Sequence, residues 1–387
     1  MHVKRVTLVG TLPPIKSISD YCLELTKALL SHTDVEFINF KHIYWEALYK
    51  GGGTKEKDPL FTRPEDPRLR VRDMLTWYNP LSWLYAGLTS RGDVLHFQWW
   101  TSYLFPVFFS IALVTKARGK KLVCTVHNVH GHETGLLDRT LNRLILTLPD
   151  RYLVHTERNR DQLEAAFGIA RERIRVVPHG IFEFYRDKEL SQAEARKQLG
   201  IPDSAQVLLS FGHVRPYKGI EDLIAAYKLA RRTLPDLFLV IAGKAWNEEL
   251  KREIETQLAD APNKLLHLDY VPSSQIKAFF SAADAVVLPY REFAAQSGPG
   301  NIALAFEKPL IVADVGGLPE LVANPAAIFE AGNVAALSAA IARCLGDSAL
   351  LATLAADSTR LRERFSWARI ALDTLRVYEE LLEQSSH

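Results

Sequence analysis

The chain has 387 residues, more than the ~100–200 of a usual single domain, so two domains of comparable size are expected. Hydrophobic residues make up 48% and charged residues 24%, which excludes a largely disordered chain. The net charge of +2 hides an asymmetry: residues 1–180 hold 25 Lys and Arg against 18 Asp and Glu, and residues 181–387 hold 22 against 27. Unless this is a chance imbalance, the basic half contacts an anionic membrane or a phosphate-bearing molecule.

The cysteines and the apolar runs bear on location. Cys22, Cys124 and Cys344 lie far apart without metal-ligand spacing, which predicts reduced residues of a cytoplasmic protein. The start, "MHVKRVTLVGTL", lacks a cleavage site and is typical of a buried strand. Residues 99–114 are fewer than the ~20 that span a bilayer, so we expect a helix that is buried or rests on a membrane. The expected location is cytoplasmic, with peripheral contact at the inner membrane face.

Short apolar runs alternate with helical patterns along the whole chain. Nearly all-apolar strands separated by helices indicate parallel sheets covered on both faces, and the pattern occurs twice. The first half predicts strands at Val6–Leu12, Val35–Phe40, Val94–Phe97, Leu122–His127, Tyr152–His155 and Ile174–Val177. The second half predicts strands at Val207–Phe211, Leu237–Ala242, Lys264–Leu268, Ala285–Leu288 and Leu310–Ala313.

The domain boundary is predicted within residues 180–202, where turn residues and charges precede a new series of strands. We expect an N-terminal Rossmann-like domain over 1–185, a C-terminal one over 186–366, and a helix over 367–387 that returns to the first domain. Ligands of open parallel sheets bind at the carboxyl ends of the strands. Loops at those ends are therefore the first places to look for a site.

One such loop, "GHVRPYKG", lies between a predicted strand and a predicted helix. Free N–H groups and the helix dipole favour an anion there, Arg215 and Lys218 add positive charge, and glycines such as Gly212 let a ligand approach the backbone. A diphosphate fits this description. Alternatively, both side chains are solvated, and Glu221 and Asp222 neutralise them while favouring the first turn of the helix.

Nine segments in order resemble the retaining nucleotide-sugar glycosyltransferases of family 4, the glycosyl transferase group 1 type. The first-half segments are "PPIKSISDYCLELTKAL", "DVLHFQWW", "CTVHNVH", "VHTERNRDQL" and "VVPHGI". The second-half segments are "GHVRPYKGIEDLIAAY", "LVIAGK", "LDYVPSSQIKAFFSAADAVVLPY" and "KPLIVADVGGLPELV". The resemblance implies an α/β GT-B fold: two facing Rossmann-like, doubly wound parallel-sheet domains, with a C-terminal helix packing back on the first.

The resemblance also implies roles for residues. Arg215 and Lys218 would clamp the donor diphosphate, and His127 would face the donor sugar, with Asn128 where the family usually has aspartate. A metal site is the alternative interpretation of the run His127, His130 and His132 with Glu133 nearby.

The chain departs from the family most clearly at a pair of glutamates, whose positions fall on Ala294 and Ile302. Other residues near the donor would have to compensate. The candidate donor-binding residues are Gly212, Val271, Glu292, Gln296, Ser297, Gly298, Gly300 and Asn301, together with Lys16 and Ser17 of an N-terminal loop. Val271 is placed where family members hold the nucleobase through backbone groups.

The resulting hypothesis is transfer of a hexose, with retention, from a UDP- or GDP-linked donor to a saccharide or lipid-linked acceptor, in polysaccharide or glycoconjugate synthesis. No Asp-x-Asp triplet occurs, so neither a metal nor another cofactor is expected, and no nucleic acid partner is expected. The acceptor would bind the aromatic residues of the first half, which are Trp77, Tyr78, Trp83, Tyr85, Trp99, Trp100 and Tyr103, unless most of these are core.

Three other functions remain open at this point. A nucleotide-sugar epimerase would share the fold but should carry carboxylate acid and base groups. A catalytically silent nucleotide-sugar-binding partner of another transferase would explain the missing glutamates. A sugar phosphorylase fits least, because the chain is short for the cofactor-bearing kind.

Overall fold

The computed structural model describes residues 3–15, 17–44, 61–129, 136–186, 190–293 and 297–384. The chain divides into two units, the first made of residues 1–180 and 366–387 and the second of residues 181–365. Each unit is a parallel α/β sheet with helices, as predicted.

The first unit contains a seven-stranded parallel sheet within the described residues. The strands are β1 (Arg5–Gly10), β2 (Asp34–His42), β3 (Leu69–Thr76), β4 (Val94–Trp99), β5 (Lys121–Val126), β6 (Arg151–Val154) and β7 (Ile174–Val176). The helices are α1 (Ser19–Leu30), α2 (Pro80–Thr89), α3 (Phe105–Ala117), α4 (Leu136–Ile145) and α5 (Glu157–Phe167). The strand order is β3-β2-β1-β4-β5-β6-β7, so the chain reverses its winding direction between β1 and β4.

Strand β3 was not predicted. Its sequence, "LRVRDMLT", alternates charged and apolar residues, and only its last two residues are buried. It lies at the edge of the sheet, where one neighbour and partial burial suffice. A search for all-apolar runs therefore misses it.

The apolar segment 99–114 is not one helix. Trp99 is the last residue of β4, is 1% exposed, and donates its indole N–H to Asn142 Oδ1 at 2.8 Å. A short 3-10 turn follows, and α3 then begins at Phe105 and buries one face, including Phe108. In the part of the chain that is described, no single helix has the length and apolar character needed to cross a membrane. One pair of consecutive helices, Val334–Gly346 and Ser348–Arg364, meets both criteria when the two are taken together, but the pair is bent by 94°.

The second unit contains a six-stranded parallel sheet among its described residues. The strands are β8 (Gln206–Phe211), β9 (Leu237–Ala242), β10 (Lys264–His267), β11 (Ala285–Leu288), β12 (Leu310–Ala313) and β13 (Ile328–Phe329). The helices are α6 (Gln192–Leu199), α7 (Ile220–Ala230), α8 (Glu248–Gln257), α9 (Ser273–Ala282), α10 (Gly298–Ala305), α11 (Val334–Gly346) and α12 (Ser348–Arg364). The order β10-β9-β8-β11-β12-β13 places the reversal between β8 and β11. The loops after these two strands therefore diverge and leave a crevice, which is where such sheets bind ligands.

The last helix, α13 (Trp367–Glu383), belongs to the first unit and packs on α1, as predicted. The rings of Trp367 and Tyr21 meet edge to face at 5.2 Å between centroids. Tyr378 is fully buried and its hydroxyl lies 2.5 Å from His96 Nδ1 in β4. The helix is thus part of the core of the first unit rather than a loose tail.

Candidate functional site

The loop after β8 begins with a glycine that cannot be replaced without strain. Gly212 has φ of +100°, and an added Cβ would lie 2.9 Å from Pro299 Cγ and 3.2 Å from Lys218 Nζ. Its N–H donates to the carbonyl of Ala242 at the end of β9. This glycine therefore brings the β8 loop, the start of α10 and a cation close together.

Lys218 is the buried cation of this loop. It is 8% exposed, and its ammonium nitrogen lies 5.1 Å from the ring centroid of Tyr290. Burial, reinforced by the positive charge of Arg215, lowers the pKa of Lys218 to about 8. No ion pair between described residues joins this ammonium to a carboxylate, so an anion that enters would meet a poorly solvated positive charge.

Arg215 is exposed and lies over the indole ring of Trp246, 4.8 Å from its centroid. Trp246 follows β9, and its N–H donates to the Val214 carbonyl, so two adjacent loops hold the guanidinium between them. Burial and the charges of Arg215, Lys218 and nearby Lys244 lower the pKa of His213. This edge of the sheet is therefore a positive region.

The nearby carboxylates do not neutralise these cations. Asp222 accepts two hydrogen bonds from the Arg291 guanidinium, at 2.7 and 2.8 Å, and Glu221 accepts one at 3.1 Å. Arg291 lies in the loop after β11, and its N–H donates to the Tyr217 carbonyl. The two acids therefore pair with Arg291 rather than with Arg215 or Lys218, which contradicts the neutralisation expected in the alternative interpretation, although Arg215 is exposed as that interpretation expects. The acids join the first turn of α7 to the loop after β11.

The loop after β11 leads into α10, whose first turn carries four of the predicted donor-binding residues. Ser297 is buried, caps the helix by accepting from the Gly300 N–H at 3.2 Å, and lies 3.4 Å from the Tyr290 hydroxyl. Gly300 lets the turn pack closely, since a Cβ there would lie 2.5 Å from Leu321 Cδ1, whereas a Cβ on Gly298 would have room, 3.8 Å from Phe182 Cε2. Asn301 is buried one position further on.

The remaining candidate residues of this region differ in whether their side chains could contact a ligand. Glu292 is exposed. Ile302, at one of the glutamate positions of the family, is 6% exposed and packs in the hydrophobic core, so its side chain contributes no polar contact. Ala294 and Gln296 lie outside the described residues.

Val271 follows β10 and is buried in the core of the second unit. Its side chain therefore serves packing, and only its backbone groups remain for a nucleobase. Ser17, in the loop after β1, is exposed and has φ of +97°, a conformation that favours glycine. Lys16 lies outside the described residues.

His127 follows β5, and its imidazole is held on both sides within the first unit. Nε2 lies 2.9 Å from Gln98 Oε1 and Nδ1 lies 3.0 Å from His155 Nε2. The ring of Tyr21 meets the imidazole edge to face at 4.7 Å between centroids. Burial and the neighbouring histidines hold the pKa of His127 well below its usual range, so the ring is neutral at neutral pH.

The metal hypothesis rests on residues that the structure only partly describes. His130, His132 and Glu133 lie outside the described residues. Within the described ranges, no group of three or more His, Cys, Asp or Glu side chains could hold a metal ion.

Several side chains of the site were not predicted from the sequence. Tyr290 and Trp246 cover the two cations, and Gln98 and His155 hold His127. Each directly ends or closely follows a predicted strand, so proximity to a carboxyl end of the sheet was the available signal. Their particular partners depend on the fold and had no local signal.

Both halves of the chain match known protein families. Residues 19–182 match the family model described as Glycosyltransferase Family 4, and residues 191–361 match the model Glycosyl transferases group 1. A D-inositol 3-phosphate glycosyltransferase of Catenulispora acidiphila is 30% identical over 314 residues, covering 75% of this chain and 73% of the relative. A glycogen synthase of Mycobacterium tuberculosis is 28% identical over 306 residues, covering 74% and 69%.

Among solved structures, HepE of Anabaena in complex with UDP superposes with a TM-score of 0.71 at 17% identity, covering 97% of this chain and 100% of that chain. At this identity the likeness concerns the fold. Together with the two family models and the 30% identical relative, it identifies the chain as a GT-B glycosyltransferase of family 4, the glycosyl transferase group 1 type.

Proposed function

We propose that the chain transfers a hexose, with retention, from a UDP- or GDP-linked sugar to a saccharide or lipid-linked acceptor in polysaccharide or glycoconjugate synthesis. The observation that carries the proposal is Lys218, a buried ammonium at the switch point of the second sheet without a carboxylate partner among the described residues. With Arg215 beside it, this charge is suited to stabilise the nucleoside diphosphate as it leaves.

The proposed chemistry follows from the charges available. Arg215 and Lys218 stabilise the departing diphosphate, and the donor β-phosphate takes the proton of the acceptor hydroxyl on the same face of the sugar. That route retains configuration and needs neither a protein general base nor a metal ion. His127, in the first unit, is proposed to face the donor sugar.

We propose donor-binding roles for further residues of the second unit and for the loop after β1. The first turn of α10, with Ser297, Gly298, Gly300 and Asn301, would offer backbone and side-chain donors to phosphate or sugar. Glu292 would reach the sugar from the exposed loop before it. Val271 would hold the nucleobase through its backbone. Lys16 and Ser17 would contact the donor from the first unit.

For the acceptor, we propose an aromatic cluster on the first unit. Rings of Tyr44, Trp77, Tyr78 and Tyr103 follow β2, β3 and β4, with centroids 5.4 Å apart for Tyr44 and Tyr103 and 6.0 Å for Trp77 and Tyr103. Rings of this kind offer flat, partly exposed faces to the C–H groups of a sugar. Trp83 and Trp99, by contrast, are buried core residues and cannot serve this role.

We also propose peripheral contact with an anionic membrane through α2. Its Leu81, Leu84, Tyr85 and Leu88 are exposed on one helical face, Leu81 by 73%. Arg118 and Lys120 donate to carbonyl groups at the C-terminal end of α2 and supply complementary charge. We expect Leu81→Asp with Leu88→Asp to abolish sedimentation with phosphatidylglycerol vesicles, and unaltered sedimentation would refute this surface.

The central experiment has two stages. Calorimetry should show that UDP or GDP binds, and release of the nucleotide from its sugar conjugates should then be measured with and without EDTA. Turnover that survives EDTA, with an acceptor product of unchanged anomeric configuration, supports the proposal. Binding without turnover on any donor supports instead a silent partner, for which the apolar Ile302 is the favouring observation. No binding of any nucleotide refutes both.

A further inference from the structure

A continuous row of hydrogen bonds crosses the first unit from α13 through the middle of β4 to the carboxyl ends of β4, β5, β6 and β7. Its members in order are Tyr378, His96, Gln98, His127, His155 and the carbonyl of Val177. The successive distances are 2.5, 3.3, 2.9, 3.0 and 3.1 Å. We call it the histidine row. His96 Nε2 also lies 2.7 Å from the hydroxyl of Thr125.

Because its lowered pKa keeps His127 neutral, the row can be filled with protons in two ways. The Val177 carbonyl only accepts, so His155 Nδ1 carries a proton. If His155 is neutral, its Nε2 accepts from His127 Nδ1–H, and His127 Nε2 must then accept from the amide nitrogen of Gln98. If instead the Gln98 oxygen faces His127, then Nε2 of His127 carries its proton, and His155 must be a buried imidazolium.

The surroundings favour the first arrangement. Burial lowers the pKa of both His96 and His155 to about 3, so an imidazolium here is costly. A 180° rotation of the Gln98 side-chain amide exchanges its oxygen and nitrogen without changing its shape. After that rotation every group is neutral, and each donates to the next from the Tyr378 hydroxyl to the Val177 carbonyl.

We propose that Gln98 and His155 are positioning residues that hold His127 as the neutral tautomer with its proton on Nδ1. This deepens the proposed function, because it rests on His127 facing the donor sugar. With both nitrogens engaged, the imidazole cannot rotate about its Cβ–Cγ bond without breaking two hydrogen bonds. The ring therefore keeps one orientation throughout turnover.

The tautomer is measured directly by nitrogen-15 NMR of histidine-labelled protein, with exposed His32 and His42 as internal references. We expect the His127 proton on Nδ1 in the wild-type protein. A proton on Nε2 would overturn the proposal even if the protein is a fully active transferase. Absence of transferase activity would overturn the proposed function, but the NMR spectrum would still test the tautomer of His127.

Substitutions at position 155 test the consequence for turnover. His155→Phe removes the acceptor of His127 Nδ1–H, and we expect kcat to fall at least about ten-fold. UDP affinity should stay within about two-fold, because Lys218 lies in the other unit. His155→Gln can accept through Oε1 and donate through Nε2, as neutral histidine does, so it should recover most of the lost kcat.

The two variants together leave no neutral outcome. A higher kcat in His155→Gln than in His155→Phe supports a polar positioning role, because a side chain that only fills space would be replaced better by the aromatic ring of phenylalanine. Equal loss in both variants, or no loss in Phe, overturns it. If the Phe variant does not fold, Gln98→Glu replaces it. A carboxylate only accepts, so the NMR spectrum should show an added proton on His127 Nε2, and kcat should fall at least about ten-fold.

Discussion

Replacing Lys218 with methionine should weaken nucleotide binding and stabilise the free protein at the same time. The two side chains are similar in length, so the variant removes the charge while still filling the space beside Tyr290. Lys218 supplies a charge-assisted contact of about 1.5–3 kcal/mol to a bound diphosphate. We therefore expect the Kd for UDP to rise roughly 10- to 150-fold.

The stabilisation follows from the pKa. Burial lowers the pKa of Lys218 from 10.5 to about 8, and one unit corresponds to about 1.4 kcal/mol. Because the folded pKa lies below the unfolded value, the charge destabilises the fold by about 3 kcal/mol below pH 8, and this penalty disappears as the pH rises towards 10.5. Loss of the contact with Tyr290 offsets about 1 kcal/mol. At pH 7 the variant should gain about 2 kcal/mol in the free energy of unfolding.

Three measurements check this reasoning, with exposed Lys228→Met in α7 as the matched control. Thermal denaturation should show a higher Tm for the Lys218 variant and no change for the control. Calorimetry with UDP should show the loss of affinity only at position 218. The affinity of wild-type protein should also fall above pH 8, as the ammonium loses its proton, and the variant should lack this dependence.

Each readout can fail separately. Unchanged UDP affinity in the Lys218 variant would mean that the diphosphate binds elsewhere. A lower Tm would mean that the ammonium is stabilised by an interaction other than the ring of Tyr290, which would contradict the account of a buried, uncompensated charge.

Three further substitutions test other parts of the structure. Asp222→Asn removes one charge of the Arg291 cluster; since Arg291 is partly exposed, urea denaturation should show a loss of only about 1 kcal/mol, and a drop in UDP affinity above ten-fold would contradict its assignment to Arg291. Gly219→Ala would place a methyl group 1.9 Å from a backbone carbonyl and should prevent stable folding, whereas Gly200→Ala, at nearly the same φ but in open space, should cost about 1 kcal/mol by thermal denaturation. Trp77→Ala should raise the KM for the acceptor but not for the donor, and an equal rise for both would argue against the aromatic cluster.

The sheets of both units were predictable because their central strands are apolar throughout, and the apolar run of β8 corresponds closely to the observed strand. Of the four strands at the edges of the two described sheets, β7 and β10 were predicted, but β3 and β13 lack this signature. β3 interrupts its apolar residues with Arg70, Arg72 and Asp73, and β13 has only two residues. Both lie at the edge of a sheet, where less burial is required and the pattern weakens.

The chemistry of the donor loop was predictable only in part. Its position after a strand and its cations follow from the sequence, but the sequence does not distinguish buried Lys218 from exposed Arg215. The pairing of Asp222 with Arg291 depends on the first turn of α7 meeting the loop after β11, 69 positions further along the chain. The hydrogen bond between His127 and His155 likewise joins neighbouring strands of the sheet, and their spacing along the chain does not indicate it.

The two crossings of the chain between the units have a consequence for synthesis. The second unit is inserted between residues 180 and 366 of the first, and its ends are adjacent, with the Ile181 N–H bonded to the Phe365 carbonyl at 3.2 Å. On a ribosome the second unit can fold as soon as it emerges, whereas the first must wait for α13, which is made after the whole second unit, before His96 acquires its tyrosine. The first unit is therefore completed after the second, and a nascent chain truncated before residue 367 would expose an unfinished core to chaperones.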